Sequence, residues 1–137
     1  MRFSSNSGGL CSVTLAAAML ATPVVAATID VNDSHGGIVA NYKARWSAAA
    51  ARGDSVRVVG PCQSACTVLI GEIPRDRICV TPAAQFGFHL AKTPAATAML
   101  RAAYDTGITA WIDAHGGLTQ NFIWMHATDT YKFFKRC

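Results

Sequence analysis

The stretch GPCQSACTVLIG, residues 60 to 71, sets Ser64 between two cysteines, after a short β-like run and at the head of an apolar segment. A hydroxyl so placed is either a nucleophile displayed at the start of a helix or a small filler inside a cross-linked turn. A nucleophilic serine needs a base to take its proton. The strand-like QFGFH ends in His89, 25 residues after Ser64. The chemistry also needs donors aimed at the oxygen of a tetrahedral intermediate. Two turns offer them: DSHGG, residues 33 to 37, and the segment from Pro61 to Cys66. Each puts small-residue backbone at a helix start, where unpaired N–H groups point outward.

The cysteines suggest a different chemistry. Cys11 lies ahead of an apolar run near the N-terminus, which leaves Cys62, Cys66, Cys79 and Cys137. An even count in an exported chain suggests disulfides, and four cysteines allow three pairings, which spacing alone leaves open. Together with His35, His89, His115 and His126 these residues lack the close spacings that gather ligands, so no metal site is expected. An oxidising compartment would consume a thiol nucleophile at Cys66.

The elements that must position Ser64 and His89 alternate between strand and helix. TIDVN, residues 28 to 32, reads as a strand. Ile38, Tyr42, Trp46 and Ala49 recur at helical spacing, and Gly53 stops that helix. Residues 56 to 59 read as a strand broken by Gly60 and Pro61, residues 64 to 71 as a short buried helix, and 77 to 81 and 85 to 89 as strands. Thr93 and Pro94 start a helix to about Tyr104. Gly107 is expected to bend the chain before a second piece, 108 to 115, and Thr119 to cap a last helix to about Ala127. The aromatics Tyr42, Trp46, Trp111, Phe122 and Trp124 read as core. This alternation implies an α/β domain with a mainly parallel sheet, whose strand ends gather turns at one edge.

Residues 1 to 27 read as an export signal: Arg2 is their only charge, the apolar run 13 to 20 is too short to span a bilayer, and small residues precede Thr28. Residues 28 to 137 then form one domain with 11 of the 12 basic side chains against 8 acidic ones, about +3. The basic residues are scattered except for Lys132, Lys135 and Arg136, without the aromatic-and-basic stripe of nucleic-acid binders. Nothing after residue 27 is long and apolar enough to form a stable membrane span.

DSHGG, then a helix, then GPCQSACTVL, then PAAQFGFH resembles the proteolytic subunit of the Clp protease and its exported relatives in the crotonase-like superfamily. That family has an N-S-P-G-G-like turn, a G-x-x-A-S-x-G nucleophile turn and a proline-started strand ending in M-I-H. The resemblance covers residues 29 to 90. It implies a small crotonase/Clp-protease-like domain, N-terminally shortened, with Ser64 as nucleophile, His89 as general base, and the N–H groups of Gly37 and Ala65 as the oxyanion hole. A looser similarity over residues 115 to 134 offers Asp129 as the acidic member. His35 and the two cysteines depart from the family pattern. The implied protein is a serine hydrolase or peptidase that takes a peptide or acyl substrate, needs no cofactor, and assembles into homo-oligomers. The alternative is a catalytically inactive, disulfide-stabilised envelope protein that binds a partner through the same cleft. A third reading makes Cys62 and Cys66 a thiol–disulfide pair.

Overall fold

The computed structural model describes residues 21–137. Cys11 and the apolar run 13 to 20, and with them most of the expected signal, lie outside the described residues. Residues 21 to 27 are exposed and carry no regular structure.

The chain runs β1 (Thr28–Asp33), α1 (Val39–Ala51), β2 (Ser55–Gln63), a 3-10 turn (Ser64–Val68) continuing into α2 (Leu69–Glu72), a second 3-10 turn (Arg75–Arg77), β3 (Ile78–Val80), β4 (Gln85–Phe88), α3 (Pro94–Ala103), α4 (Thr106–Ala114), β5 (Ile123–Met125), α5 (Ala127–Phe133) and β6 (Lys135–Arg136). The strands form one six-stranded sheet in the order β5-β4-β2-β3-β6, with β1 paired to β2 off that path. Four pairings are parallel. The fifth, β4 with β5, is antiparallel. The expected α/β domain is thus observed as a mixed sheet, parallel in part.

β2 is longer than its sequence suggests. Gly60 and Pro61 do not break it, because the β1 register shifts there: Val31 faces Val58 and Asp33 faces Cys62, so the two steps on β1 span four on β2. The extra residues bulge, which removes the need for a ladder hydrogen bond from Pro61. Gly60 is also where the Asn32 side chain lies; a Cβ there would stand 2.6 Å from the Asn32 Oδ1. Beyond the bulge, β2 leaves β3 and pairs with β4 through Pro61, Cys62 and Gln63.

Two helix boundaries differ from expectation. Tyr104 and Asp105, not Gly107, separate α3 from α4, and the Asp105 carboxylate accepts the Ile108 N–H at 2.8 Å as an N-cap. Residues 119 to 126 form no helix; β5 occupies 123 to 125, and α5 begins only at Ala127. Thr93 caps α3 as expected, accepting the Ala96 N–H. α1 buries Trp46 and Ala49 against the 3-10 turn and α2, while Ile38 stays 68% exposed. Phe86 and Phe88 lie fully buried on β4, and Phe88 meets Tyr104 edge-on at 5.2 Å. Burying each such side chain stabilises the fold by roughly 1.5–3 kcal/mol.

Candidate active site

Gln63 of β2 pairs with Gly87 of β4 in parallel, so the two strands end on the same edge of the sheet. Ser64 immediately follows one strand end and His89 the other. Their side chains meet there, with 2.6 Å between Ser64 Oγ and His89 Nε2.

Ser64 turns sharply out of β2. It has φ 55, the left-handed region that a residue with a side chain enters at a cost of about 1–3 kcal/mol. Such strand-to-helix turns lift a hydroxyl clear of the backbone. The turn is held from below and from both flanks. The Thr67 hydroxyl donates to the Ser64 carbonyl at 2.7 Å and lies 2.6 Å from the Tyr104 hydroxyl. With its one proton committed to Ser64, Thr67 accepts from Tyr104. Burial of Tyr104 keeps its hydroxyl protonated, holding its pKa well above the usual tyrosine range. Cys62 and Cys66, both fully buried, form a disulfide that spans the serine, with 5.3 Å between their Cα atoms. Cys79 and Cys137 form the second disulfide.

The DSHGG turn closes over Ser64. Gly36 has φ +65, and a Cβ added to it would lie 2.8 Å from Ser64 Cβ and 3.3 Å from its Oγ. Only glycine allows both the backbone conformation and the approach. Asp33 shapes this turn: its Oδ1 accepts the His35 and Gly36 N–H groups, each at 3.0 Å. The Tyr42 hydroxyl hydrogen-bonds the Asp33 carboxylate and lies 3.2 Å from the Gly36 carbonyl. Partial burial pushes the Asp33 pKa up, but the bonds from Tyr42, His35 and Gly36 outweigh it and leave the group below the usual carboxylate range. Burial and then Asp33 push Tyr42 up to about 12. Among the described turn and cap hydrogen bonds, neither the Gly37 nor the Ala65 N–H has an acceptor.

His89 is held by aromatic packing. The β4/β5 register pairs Gly87 with Trp124 and Phe88 with Ile123, which sets Phe122 across from His89. The two rings stack at 4.1 Å and 22°, and Phe122 in turn stacks on Trp124 at 5.5 Å. Gly87 leaves room for that stack, since a Cβ there would lie 2.7 Å from the Trp124 ring. Phe122 is therefore part of the site, not core as the sequence suggests. Burial lowers the His89 pKa below its ordinary value, favouring the neutral imidazole that can accept a proton.

Asp129 is not brought to His89. It sits on α5, where its carboxylate pairs with Lys132 at 2.6 Å; that hydrogen bond is the main cause of its lowered pKa. Among the described residues no carboxylate bonds to His89. Asp129 was expected from a loose motif similarity; its place on α5, past the unforeseen β5, turns it toward its own helix.

Ser64 and His89 open into a cavity of about 570 Å³ lined by Gly37, Ile38, Ala91, Lys92, Ala96 and Phe122 among others. Among the described residues no group of three or more His, Cys, Asp or Glu side chains is placed to hold a metal ion. Nor is any described helix long and apolar enough to cross a membrane.

No model of a known protein family matches the chain, and no curated protein matches it. Among solved structures the chain is similar to an Asn-to-Asp mutant of ClpP1 from Listeria monocytogenes, at 16% sequence identity and a TM-score of 0.49, over 80% of this chain and 71% of that one.

Proposed function

We propose that the protein is an exported serine hydrolase acting on peptide or other acyl substrates, with Ser64 as nucleophile and His89 as general base. The observation that carries this reading is the 2.6 Å contact between Ser64 Oγ and His89 Nε2 at the floor of a substrate-sized cavity. The motif order in residues 29 to 90 supports it independently.

In this reading the Ser64 Oγ–H proton passes to Nε2 as Oγ bonds to the acyl carbon, and the carbonyl electron pair moves onto oxygen. The N–H groups of Gly37 and Ala65 stabilise that oxyanion. Collapse breaks the bond to the leaving group, which takes the proton from Nε2. Water then repeats the sequence on the acyl-serine, releasing the acid and restoring the Ser64 hydroxyl. Nε2 accepts only if the imidazole proton resides on Nδ1, so the mechanism fixes the tautomer. No metal or organic cofactor takes part.

Export is supported by the two disulfides, which persist in oxidising compartments, and by the signal-like composition of residues 1 to 27. Mature protein recovered from the cell envelope then begins at Thr28, which N-terminal sequencing reads directly. The motif resemblance also leads us to propose self-assembly, which sedimentation of the mature chain measures. The second reading, a binding protein without turnover, is favoured by one observation: no carboxylate steadies His89 among the described residues. A fluorophosphonate probe separates the two. Under the hydrolase reading it labels the oxidised protein, and both Ser64→Ala and His89→Ala abolish the labelling. A folded, disulfide-intact protein that does not label is a binding protein.

A further inference from the structure

Resting on the Ser64–His89 reading, we propose that the cavity selects acyl substrates with an anionic group at the far end of an apolar acyl chain, and that Lys92 takes the anion.

The walls that flank the serine are Ile38, Val39, Ala91, Ala96 and Phe122, which strip water from an apolar chain. Among the described residues no aspartate or glutamate lines the cavity, and Lys92 is the one permanently charged residue that does. The ion pairs among the described residues engage Lys43, Arg52, Arg57, Arg75 and Lys132. Lys92, exposed at the mouth, has no carboxylate among the described residues. Asp33, on the turn that closes over Ser64, has both oxygens occupied by Tyr42, His35 and Gly36 and does not compete. The root of Lys92 is fixed even though its side chain reaches into solvent. The Leu90 N–H donates to the Thr119 carbonyl at 2.7 Å, and the Ala91 N–H to the Thr97 hydroxyl at 3.1 Å. Thr93 caps α3 on the other side. The ammonium therefore swings from a fixed point three residues past His89. A substrate whose acyl carbon sits at Ser64 extends between apolar walls toward a single cation.

Two esters of equal chain length test this: p-nitrophenyl hexanoate and mono-p-nitrophenyl adipate, which differ by a terminal carboxylate, each corrected for spontaneous hydrolysis. The oxidised protein is expected to favour the adipate through a lower KM, by about three- to five-fold as for an exposed ion pair. Added salt weakens that preference. Lys92→Met removes it, Lys92→Arg keeps it, and Lys92→Glu shifts preference to the p-nitrophenyl ester of 6-aminohexanoate. A protein that reacts with fluorophosphonate and hydrolyses both esters with an adipate-to-hexanoate ratio unchanged by salt or by Lys92→Met overturns this selectivity and leaves the hydrolase reading intact. A protein that neither labels nor turns over either ester overturns both.

Discussion

Under the proposed hydrolase reading, the base His89 has a ring steadied by an aromatic neighbour in place of a carboxylate, and that has measurable consequences. Only the neutral imidazole accepts the serine proton. Burial lowers its pKa from 6.5, so the rate of fluorophosphonate labelling is expected to be already on its plateau at neutral pH and to fall through a midpoint below 6.5 on acidification. The same shift acts on stability. The unfolded chain takes up its proton first, so stability declines as pH drops through about 6.5 and stops declining, on this account, below the folded pKa. Asp129→Asn should leave the labelling midpoint where it is, and should change stability by less than about 1 kcal/mol, the usual worth of an exposed pair like Asp129–Lys132. Phe122→Ala is expected to slow labelling about ten-fold, part of the ~10²–10⁴-fold that a positioned base contributes, and to move the midpoint upward as His89 becomes hydrated. Phe122→Tyr keeps the stack and should restore both. Ser64 and His89 were legible in the sequence because each sits at a strand end announced by local pattern. Phe122 was not, since its role follows from a cross-strand pairing between β4 and a strand that the pattern of residues 119 to 127 does not show.

The glycine turn and β2 set how much of the site depends on backbone. Gly36→Ala must force a side chain into the left-handed region and against Ser64 Cβ. The expected outcome is a loss of about 1–3 kcal/mol in denaturant unfolding together with loss of labelling. A substitution that unfolds nothing and labels normally would show that the turn is free to move away. The helices around this edge were readable: Trp46 and Ala49 at helical spacing, Gly53 as a stop with φ +84, Thr93 as a cap. The errors have local causes. Gly60-Pro61 reads as a break because propensity cannot foresee a bulge that a neighbouring strand accommodates. Gly107 reads as a bend because the true boundary is a capping carboxylate, Asp105, two residues earlier. β5 spans three residues, too few for an alternating pattern, and its place is set by pairing with β4.

The two disulfides divide between the site and the fold. Closing the loop between Cys79 and Cys137, 58 residues apart, is worth about 4 kcal/mol in the chain-entropy account, against about 2 kcal/mol for the four-residue separation of Cys62 and Cys66. Replacing Cys79 and Cys137 together by alanine should therefore lower the unfolding midpoint further than replacing Cys62 and Cys66 together. Labelling should respond in the opposite order, because the shorter bridge spans Ser64; thermal denaturation and probe kinetics on the two double variants read this. The longer bridge also ties β3 to the residue that follows β6, beside the Cys79–Lys135 and Val80–Arg136 pairs that complete one side of the sheet. Under the export proposal, the four bridged cysteines also reach an oxidising compartment at different times. On an exported chain that enters an oxidising compartment N-terminus first, the two that bracket the serine arrive almost together and can find each other while most of the sheet has yet to follow. Cys79 follows soon after and then waits for 58 more residues. During that interval it is the thiol best placed to exchange with the finished bridge at the serine. Correct pairing around Ser64 is therefore expected to depend on the 3-10 turn burying Cys62 and Cys66 before Cys79 can reach them.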